Sequence, residues 1–426
     1  MISLCDSYFT GWSMASNTRE LSLSPIQQLL LEKRELIDEW FTANTPKEEL
    51  PIYCSVDIRH SGYKITAIDT NLFPAGFNNL HHNNWPLCVS TLKSALEDET
   101  EGQRSILIIP EDHTRNTAYL KNIYLLKQLI DTAGFNTYIG SISPDQSTKI
   151  NIQISEENQF SIEPLQVASV ASSLSSCFIL LNNDLSEKPS NLLINFAKGK
   201  KITPPICAGW FNRSKYNHLV NYNLVASSFC RDIGVDPWHL TSEIDSCPPG
   251  NVAQNDEVRE AMATKASKIL SKTNIEYQKR NIVDQAFIII KTDPGTYGMG
   301  VVSVNDDQEI INLNRGKRKK LMSIKGNSAP KNFIIQEGIS TIEKFENNTA
   351  EHTFYAIRDK IVGGFIRAHS KKNVRENLNS VGSAFIPLEY DNNKPHLYTL
   401  SIPARLAIIA TVEEKIPKEY IEAEII

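Results

Sequence analysis

The feature that most constrains this chain is an apolar strand that runs through a lysine into a glycine-rich turn: AFIIIKTDPGTYGMGVVSV, residues 286–304. Lys291 precedes Asp293-Pro294-Gly295-Thr296-Tyr297-Gly298-Met299-Gly300, and a second β-rich run resumes at Val301. Glycines at 295, 298 and 300 let backbone N–H groups approach a ligand closely, and successive N–H groups in such turns form an anion-binding concavity. Residue order narrows the choice. A Walker A loop carries its Lys after the glycines, and a dinucleotide fingerprint places G-x-G-x-x-G at the start of a helix. A kinase loop has its Lys on the next strand, and no H-R-D or D-F-G occurs here. Two readings stay open: a flap over a polyphosphate, led by Lys291, or an ordinary tight turn.

A second signal lies in SVDIRHSGYKITAIDTNLF, residues 55–73, where two β-rich runs flank His60-Ser61-Gly62 and predict a hairpin. Asp69 and Asn71 are two apart on its second strand, so a carboxylate and an amide oxygen could bind one hard cation together. The same residues also describe a capped turn at a strand end. Asp57 and Arg59 share a face of the first strand; Arg59 suits a bidentate carboxylate, and a surface ion pair would explain the two equally. Gln336-Glu337 at the end of FIIQE could meet a nucleotide's adenine and ribose, and Arg367 in IVGGFIRAH could face a phosphate. The basic run Arg315–Lys320 reads as a solvated helix face or as a cover over phosphates. For AGWFNRSKYNHL, residues 208–219, a substrate loop with Arg213 and Lys215 competes with a packed Trp loop.

Along the chain, Ser24-Pro25 predicts a helix that ends at Thr45-Pro46. From Ser105, short apolar runs alternate with helices, the first from about Asn116 to Ala133, which implies a mostly parallel sheet. INIQISEENQFSIEP reads as a small hairpin within it. The punctuation at Cys247-Pro248-Pro249-Gly250 suggests the main boundary. A helix over 256–273 follows, then β-dominated sequence, and a closing helix over 403–415. The expected division is 1–103, 104–250 and 251–426. At 426 residues the chain has room for two or three domains.

A formal net charge of −5 offers no general attraction to nucleic acid or anionic membrane, so an anionic ligand must be held by local groups. Seven scattered cysteines without a C-x-x-C pair suit reduced thiols and a cytoplasmic setting. No basic-then-apolar leader and no 18-residue apolar run are seen. H-E-x-x-H and G-x-S-x-G are also absent, which removes the simpler zinc and hydrolase readings.

Taken together, SVDIRHSGYKITAIDTNLFPAGFNNL, AGWFNRSKYNHL, KTDPGTYGMGVVSV and GGFIRAH closely resemble the proteobacterial glutamate–cysteine ligase family of the ATP-grasp group. The resemblance implies an α/β (α+β) fold with an ATP-grasp in permuted order and an additional α/β domain. It also implies formation of γ-glutamylcysteine from L-glutamate and L-cysteine through a γ-glutamyl phosphate, with ATP and Mg²⁺. Lys291, Gly295, Thr296, Tyr297, Gly298, Gly300, Gln336 and Glu337 are then expected at the nucleotide, and Arg59 and Arg367 as catalytic cations. AIDTNLFPAGFNNL is similar to the metal-binding E-x-N segment of eukaryotic glutathione synthetases, which assigns magnesium to Asp69 and Asn71, with Asp293 as third ligand. Asp stands where that segment has Glu. Another ATP-grasp amide ligase, such as a glutathione synthetase, or a non-catalytic nucleotide-binding regulator is the alternative. Small-molecule partners are expected, without nucleic acid or membrane, and an oligomer is compatible with all of these readings.

Overall fold

The computed structural model describes residues 22–112, 116–247, 250, 252, 255–293, 298–323 and 332–414. It begins with the predicted N-terminus: Ser24 Oγ accepts from the Gln27 N–H while Gln27 Oε1 accepts from the Ser24 N–H, a capping box with Pro25 at the first position. The helix is not continuous to residue 44. It breaks at Lys33 (φ −105°, ψ 14°) into α1 (Pro25–Glu32) and α2 (Arg34–Asn44). Ile26, Leu30, Ile37 and Phe41 are buried at helical spacing across the break, so the apolar period carries no sign of it.

The hairpin follows as β1 (Tyr53–His60) and β2 (Ile65–Asn71). Its pairing shifts after Asp57 opposite Asp69, because Ile58 pairs Ala67 and leaves Ile68 as a bulged residue. A bulge releases a backbone carbonyl from the ladder and re-aims its neighbours. Next come α3 (Trp85–Thr100), β3 (Ser105–Pro110), α4 (Thr117–Thr132), β4 (Asn136–Ser141), β5 (Ile150–Gln153), β6 (Gln159–Pro164), α5 (Ala168–Ser173), β7 (Phe178–Asn182), α6 (Asn191–Ala197) and β8 (Ile202–Thr203). These strands form a sheet in the order β5-β6-β4-β3-β7-β8, parallel except for the β5–β6 hairpin. β3 and β7 are apolar runs buried on both faces, as parallel strands between helices are.

α7 (Lys215–Ile233), β9 (Ile244–Cys247) and the long α8 (Asp256–Lys279) lead to β10 (Ile288–Asp293), β11 (Val301–Val304), α9 (Asp307–Ile311), α10 (Arg315–Leu321) and β12 (Asn332–Glu337). Here the sheet order is β11-β10-β12-β9, all antiparallel, with α8, α9 and α10 on its core. The basic run forms α10. Finally β13 (Lys344–Phe345), β14 (Asn348–Ile357), β15 (Lys360–His369), β16 (Ala384–Leu388) and α11 (Pro395–Ala410) close the described chain. β14 pairs β1, so the third sheet runs β16-β15-β14-β1-β2 and joins residues 53–71 to residues 344–388. The molecule is thus a mixed α/β protein with three sheets among its described residues.

α11 starts eight residues before the expected Pro403, at Pro395. Pro403 lies inside the helix, and from Leu397 to Ala410 every residue except Arg405 is buried. A proline costs one internal hydrogen bond, but a helix apolar all round gains its stability by being enclosed, here against β1, β2, α1 and α7.

At one end of that helix, four ionisable side chains meet behind β1 and β14. Glu343 accepts from His60 Nδ1 at 2.7 Å and lies 3.3 Å from His396 Nε2 and 3.9 Å from His352 Nδ1. Glu343, His352 and His396 have the spacing of a metal site, yet their hydrogen bonds argue for a staple. Gln27 is fixed by the capping box, so its amide N–H donates to His396 Nδ1 at 2.9 Å, which leaves the proton on Nε2, facing Glu343. A ligating His would need the reverse, a bare Nε2 and a donating Nδ1. The cluster therefore ties α1 and α11 to the sheet.

Burial holds His352 down to about 4 despite the nearby Glu343, with His396 and His60 adding to the shift. Between pH 6.5 and 4 the unfolded chain takes up a proton that the folded one refuses, so stability is lost as pH falls through that window. The loss should approach ~3 kcal/mol. Urea unfolding at pH 7 and pH 4.5 checks this: His352→Gln should lose markedly less stability between the two than the parent.

Candidate active site

β10 delivers Lys291 beneath β2. Its Nζ donates to the Ile68 carbonyl at 2.7 Å, the group set free by the bulge. A single cleft between the β9–β12 sheet and the β1–β14 sheet is lined by Asp57, Arg59, Ile68, Asp69, Lys215, Lys291, Gly298, Gln336, Glu337 and Glu351, among others. Strand and flap, separated by more than 200 residues, therefore open onto one space. Burial pushes Lys291 down to about 8, with Asp69 opposing and Lys215 adding to the shift.

Gly298 and Gly300 both have positive φ (67° and 66°). A Cβ on Gly298 would collide with the Asn379 carbonyl, and one on Gly300 with the Thr292 side chain. Glycine is required at both by conformation and by close approach. Asn377 Nδ2 donates to the Gly298 carbonyl at 3.1 Å, so a loop after β15 holds this part of the turn. Gly295, Thr296 and Tyr297 lie outside the described residues.

Asp69 accepts both contacts from Lys215 Nζ, at 2.5 Å to each oxygen. Burial raises its carboxyl, but Lys215 and then Lys291 outweigh this and hold it low. Asp293 caps α7: it accepts from the Ser214 hydroxyl at 2.5 Å, the Lys215 N–H at 2.9 Å and the Tyr216 N–H at 3.3 Å. Asn71 forms a local turn, with Oδ1 accepting from the Phe73 N–H at 2.9 Å, and does not line the cleft. Asp69 and Asp293 are thus linked through the start of α7, whereas the Asn71 oxygen is engaged elsewhere.

Arg59 is no surface residue and its partner is not Asp57. It is 5% exposed, and its Nε donates to Glu351 at 2.6 Å while its other nitrogens reach the Val374 and Glu376 carbonyls at 3.0 and 2.7 Å. Arg367 donates to the other Glu351 oxygen at 2.6 Å and to Asp57 at 2.9 and 3.2 Å. Its Nε has no partner among the described residues. Burial raises the Glu351 carboxyl, and the two guanidiniums outweigh it, so it stays ionised between them. Gln336 Nε2 donates to Ser242 at 3.1 Å. Glu337 binds the buried Lys64 ammonium at 2.7 and 2.8 Å, a reason of its own for a carboxylate there. Lys317 of the basic run reaches the Ser303 carbonyl at 3.1 Å and pairs with Glu309.

Sequence reasoning did not single out Glu351, Asn377 or Asn379. Lys215 was only one half of a candidate loop whose other half, Arg213, turns away to Glu414 and the Thr70 carbonyl. The signal for Lys215 was Ser214 as an N-cap, which starts a helix there and separates the two cations.

Removing the charge of Glu351 should leave two guanidiniums buried without it. Glu351→Gln is expected to destabilise the fold by ~3–5 kcal/mol, measurable as a lower urea midpoint with an unchanged slope.

The chain is similar to known proteins. The family model described as glutamate–cysteine ligase matches residues 27–414. The crystal structure of a protein provisionally named gamma-glutamylcysteine synthetase, from Methylobacillus flagellatus KT, superposes with a TM-score of 0.82 at 32% identity, over 92% of this chain and 97% of that one. A glutathione synthetase-like effector of Globodera pallida, in its apoform, gives a TM-score of 0.35 at 8% identity over 85% and 84% of the two chains, too remote to carry an argument. No curated protein matches the chain in sequence. With nine-tenths of its length matched by one family model, and a solved relative overlaying nearly end to end, this chain belongs to the glutamate–cysteine ligase family.

Proposed function

We propose that the chain joins L-glutamate to L-cysteine at the expense of ATP with Mg²⁺, on an ATP-grasp framework in permuted order whose two halves are the β9–β12 sheet and the β1–β14 sheet. One observation carries this reading: the carboxylate of Asp69 and the ammonium of Lys291 line the same cleft, which also contains Gly298, Gln336 and Glu337. The division at 103 and 250 that goes with it would make the parallel sheet, β3 to β8, the substrate-side unit, although β9, on the near side of the second boundary, pairs β12 and the parallel sheet shares its apolar core with β1, β14 and α11. No helix among the described residues is long and apolar enough to cross a membrane.

The donors suit magnesium. Asp69 offers a hard oxygen on the cleft and already holds a cation, the Lys215 ammonium; Asn71 and Asp293 would join it only by giving up their present partners, the Phe73 N–H and the start of α7. Magnesium, when bound with the nucleotide, draws charge off the phosphates. Lys291 and the N–H groups of the flap, residues 295–300, hold the triphosphate, while the strand end at Gln336-Glu337 meets the base and ribose. Arg59 faces the glutamate from the cleft wall; Arg367, expected as a catalytic cation at a phosphate, is instead engaged by Glu351 and Asp57 outside the cleft lining and keeps Arg59 and its strand in position.

The γ-phosphoryl passes from ATP to the γ-carboxylate of glutamate: the bond between the γ-phosphorus and the β,γ-bridging oxygen breaks, ADP leaves with that oxygen and its electron pair, and an acyl phosphate forms. The cysteine amine then attacks the acyl carbon, phosphate leaves with the C–O pair, and the amine loses a proton to form the amide. Such transfers need positioning and charge stabilisation, not a protein nucleophile.

Purified protein with Mg-ATP and L-glutamate should release ADP only when L-cysteine is added. ADP release with γ-glutamylcysteine and glycine instead would transfer the reading to a glutathione synthetase. Asp69→Asn should lower turnover by about 100-fold or more with its melting curve unchanged, and Lys291→Ala should weaken nucleotide binding by about tenfold.

A further inference from the structure

Lys215 is held at both ends of the residue by the carboxylates of the proposed metal site. Its backbone N–H donates to Asp293 at 2.9 Å, and its side chain crosses to Asp69, Nζ lying 2.5 Å from each oxygen. The ammonium also lies 4.7 Å from the centre of the Trp210 ring. A carboxylate gripped on both oxygens by one ammonium presents to that ammonium the lone pairs a divalent cation would use. Lys215 and a metal ion therefore compete for Asp69.

Two residues earlier the chain makes an ion pair of another kind. Arg213 and Glu414 are bidentate, with side chains only 1% and 3% exposed, sealed against Thr70 and His218. In the Lys215 pair, Asp69 is 37% exposed and both partners line the cleft. A lysine carries a point charge on a flexible stem, whereas a planar arginine fork suits a fixed pair. The open pair of the two is thus the one built from the side chain that can change partners.

Charge balance points the same way. Lys215 and Lys291 both converge on the Asp69 segment, one on its carboxylate and one on the preceding carbonyl. Once the carboxylate is given to a divalent cation, the Lys215 ammonium is left without its counter-charge. An anion that enters with the cation, such as a phosphate chain, would restore it.

We propose that Lys215 is a catalytic residue that exchanges partners. It holds Asp69 before the metal nucleotide enters, then yields the carboxylate to the cation and places its ammonium on the phosphoryl group in transfer, stabilising charge on the non-bridging oxygens. This rests on the reading of Asp69 as a metal ligand.

The test uses the full chain with Lys215→Met, Lys215→Arg and Asp69→Asn, each checked by thermal melting. Mn²⁺ binding to nucleotide-free protein is titrated by paramagnetic resonance, and turnover is measured separately. Lys215→Met should bind Mn²⁺ about tenfold more tightly than the parent, because a competitor is gone, and Asp69→Asn should abolish that binding. The same Lys215→Met should lower kcat by about 100-fold while KM for ATP changes less than about threefold, and Lys215→Arg should recover part of the loss. If Asp69→Asn abolishes Mn²⁺ binding but Lys215→Met leaves it unchanged, the exchange is wrong and the metal assignment stands. If Asp69→Asn leaves Mn²⁺ binding intact, the metal assignment itself fails. A Lys215→Met enzyme with near-parental kcat would overturn the phosphoryl contact. Should Lys215→Met not fold, Lys215→Gln carries both arms.

Discussion

Antiparallel pairing of β1 with β14 is the contact on which the rest of the molecule depends. It places Asp57 between Asp69 on one side and Thr353 on the other, and it joins a hairpin from the first sixth of the chain, β1 and β2, to strands from the last fifth in one sheet. Alternation does the rest: odd-numbered residues of β1 present Asp57 and Arg59 to the cleft, while Val56 and Ile58 face the apolar core under α11. A slip of one residue would exchange the two sets. The Arg59–Glu351–Arg367–Asp57 chain of charges guards that register, since any other pairing would bury these groups without their partners.

The bulge at Ile68 is a smaller device with a comparable effect. A regular ladder would consume the Ile68 carbonyl and turn Asp69 to the other face. With one extra residue, the carbonyl is free for Lys291 and the carboxylate points to Lys215 and the cleft. Local irregularity therefore links two sheets: β10 belongs to one and β2 to the other, and a lysine side chain spans the gap.

Much of this was legible. Lys291 before its glycines, the hairpin around Gly62, the N-cap at Ser24, the β5–β6 hairpin and the parallel sheet all follow from local pattern, because turn chemistry, caps and alternation are properties of neighbouring residues. The family was legible for the same reason: its motifs are contiguous. Arg59 shows where that reading ends. Beside Asp57 in sequence it resembles half of a surface pair, yet its true partner, Glu351, is almost 300 residues away. Asn71 shows the converse, a side chain whose simpler local role, closing a turn onto Phe73, is the one it performs in these contacts.

The sequence by itself determined which short segments could approach a phosphate or a cation, since glycine placement and strand alternation act over a few residues. It could not say which charge each ionisable group would meet. That was decided only when β14 came to lie against β1 and α7 came to start between Asp69 and Asp293, because an ion pair forms between whichever charges packing brings within a few ångströms, however far apart they lie along the chain.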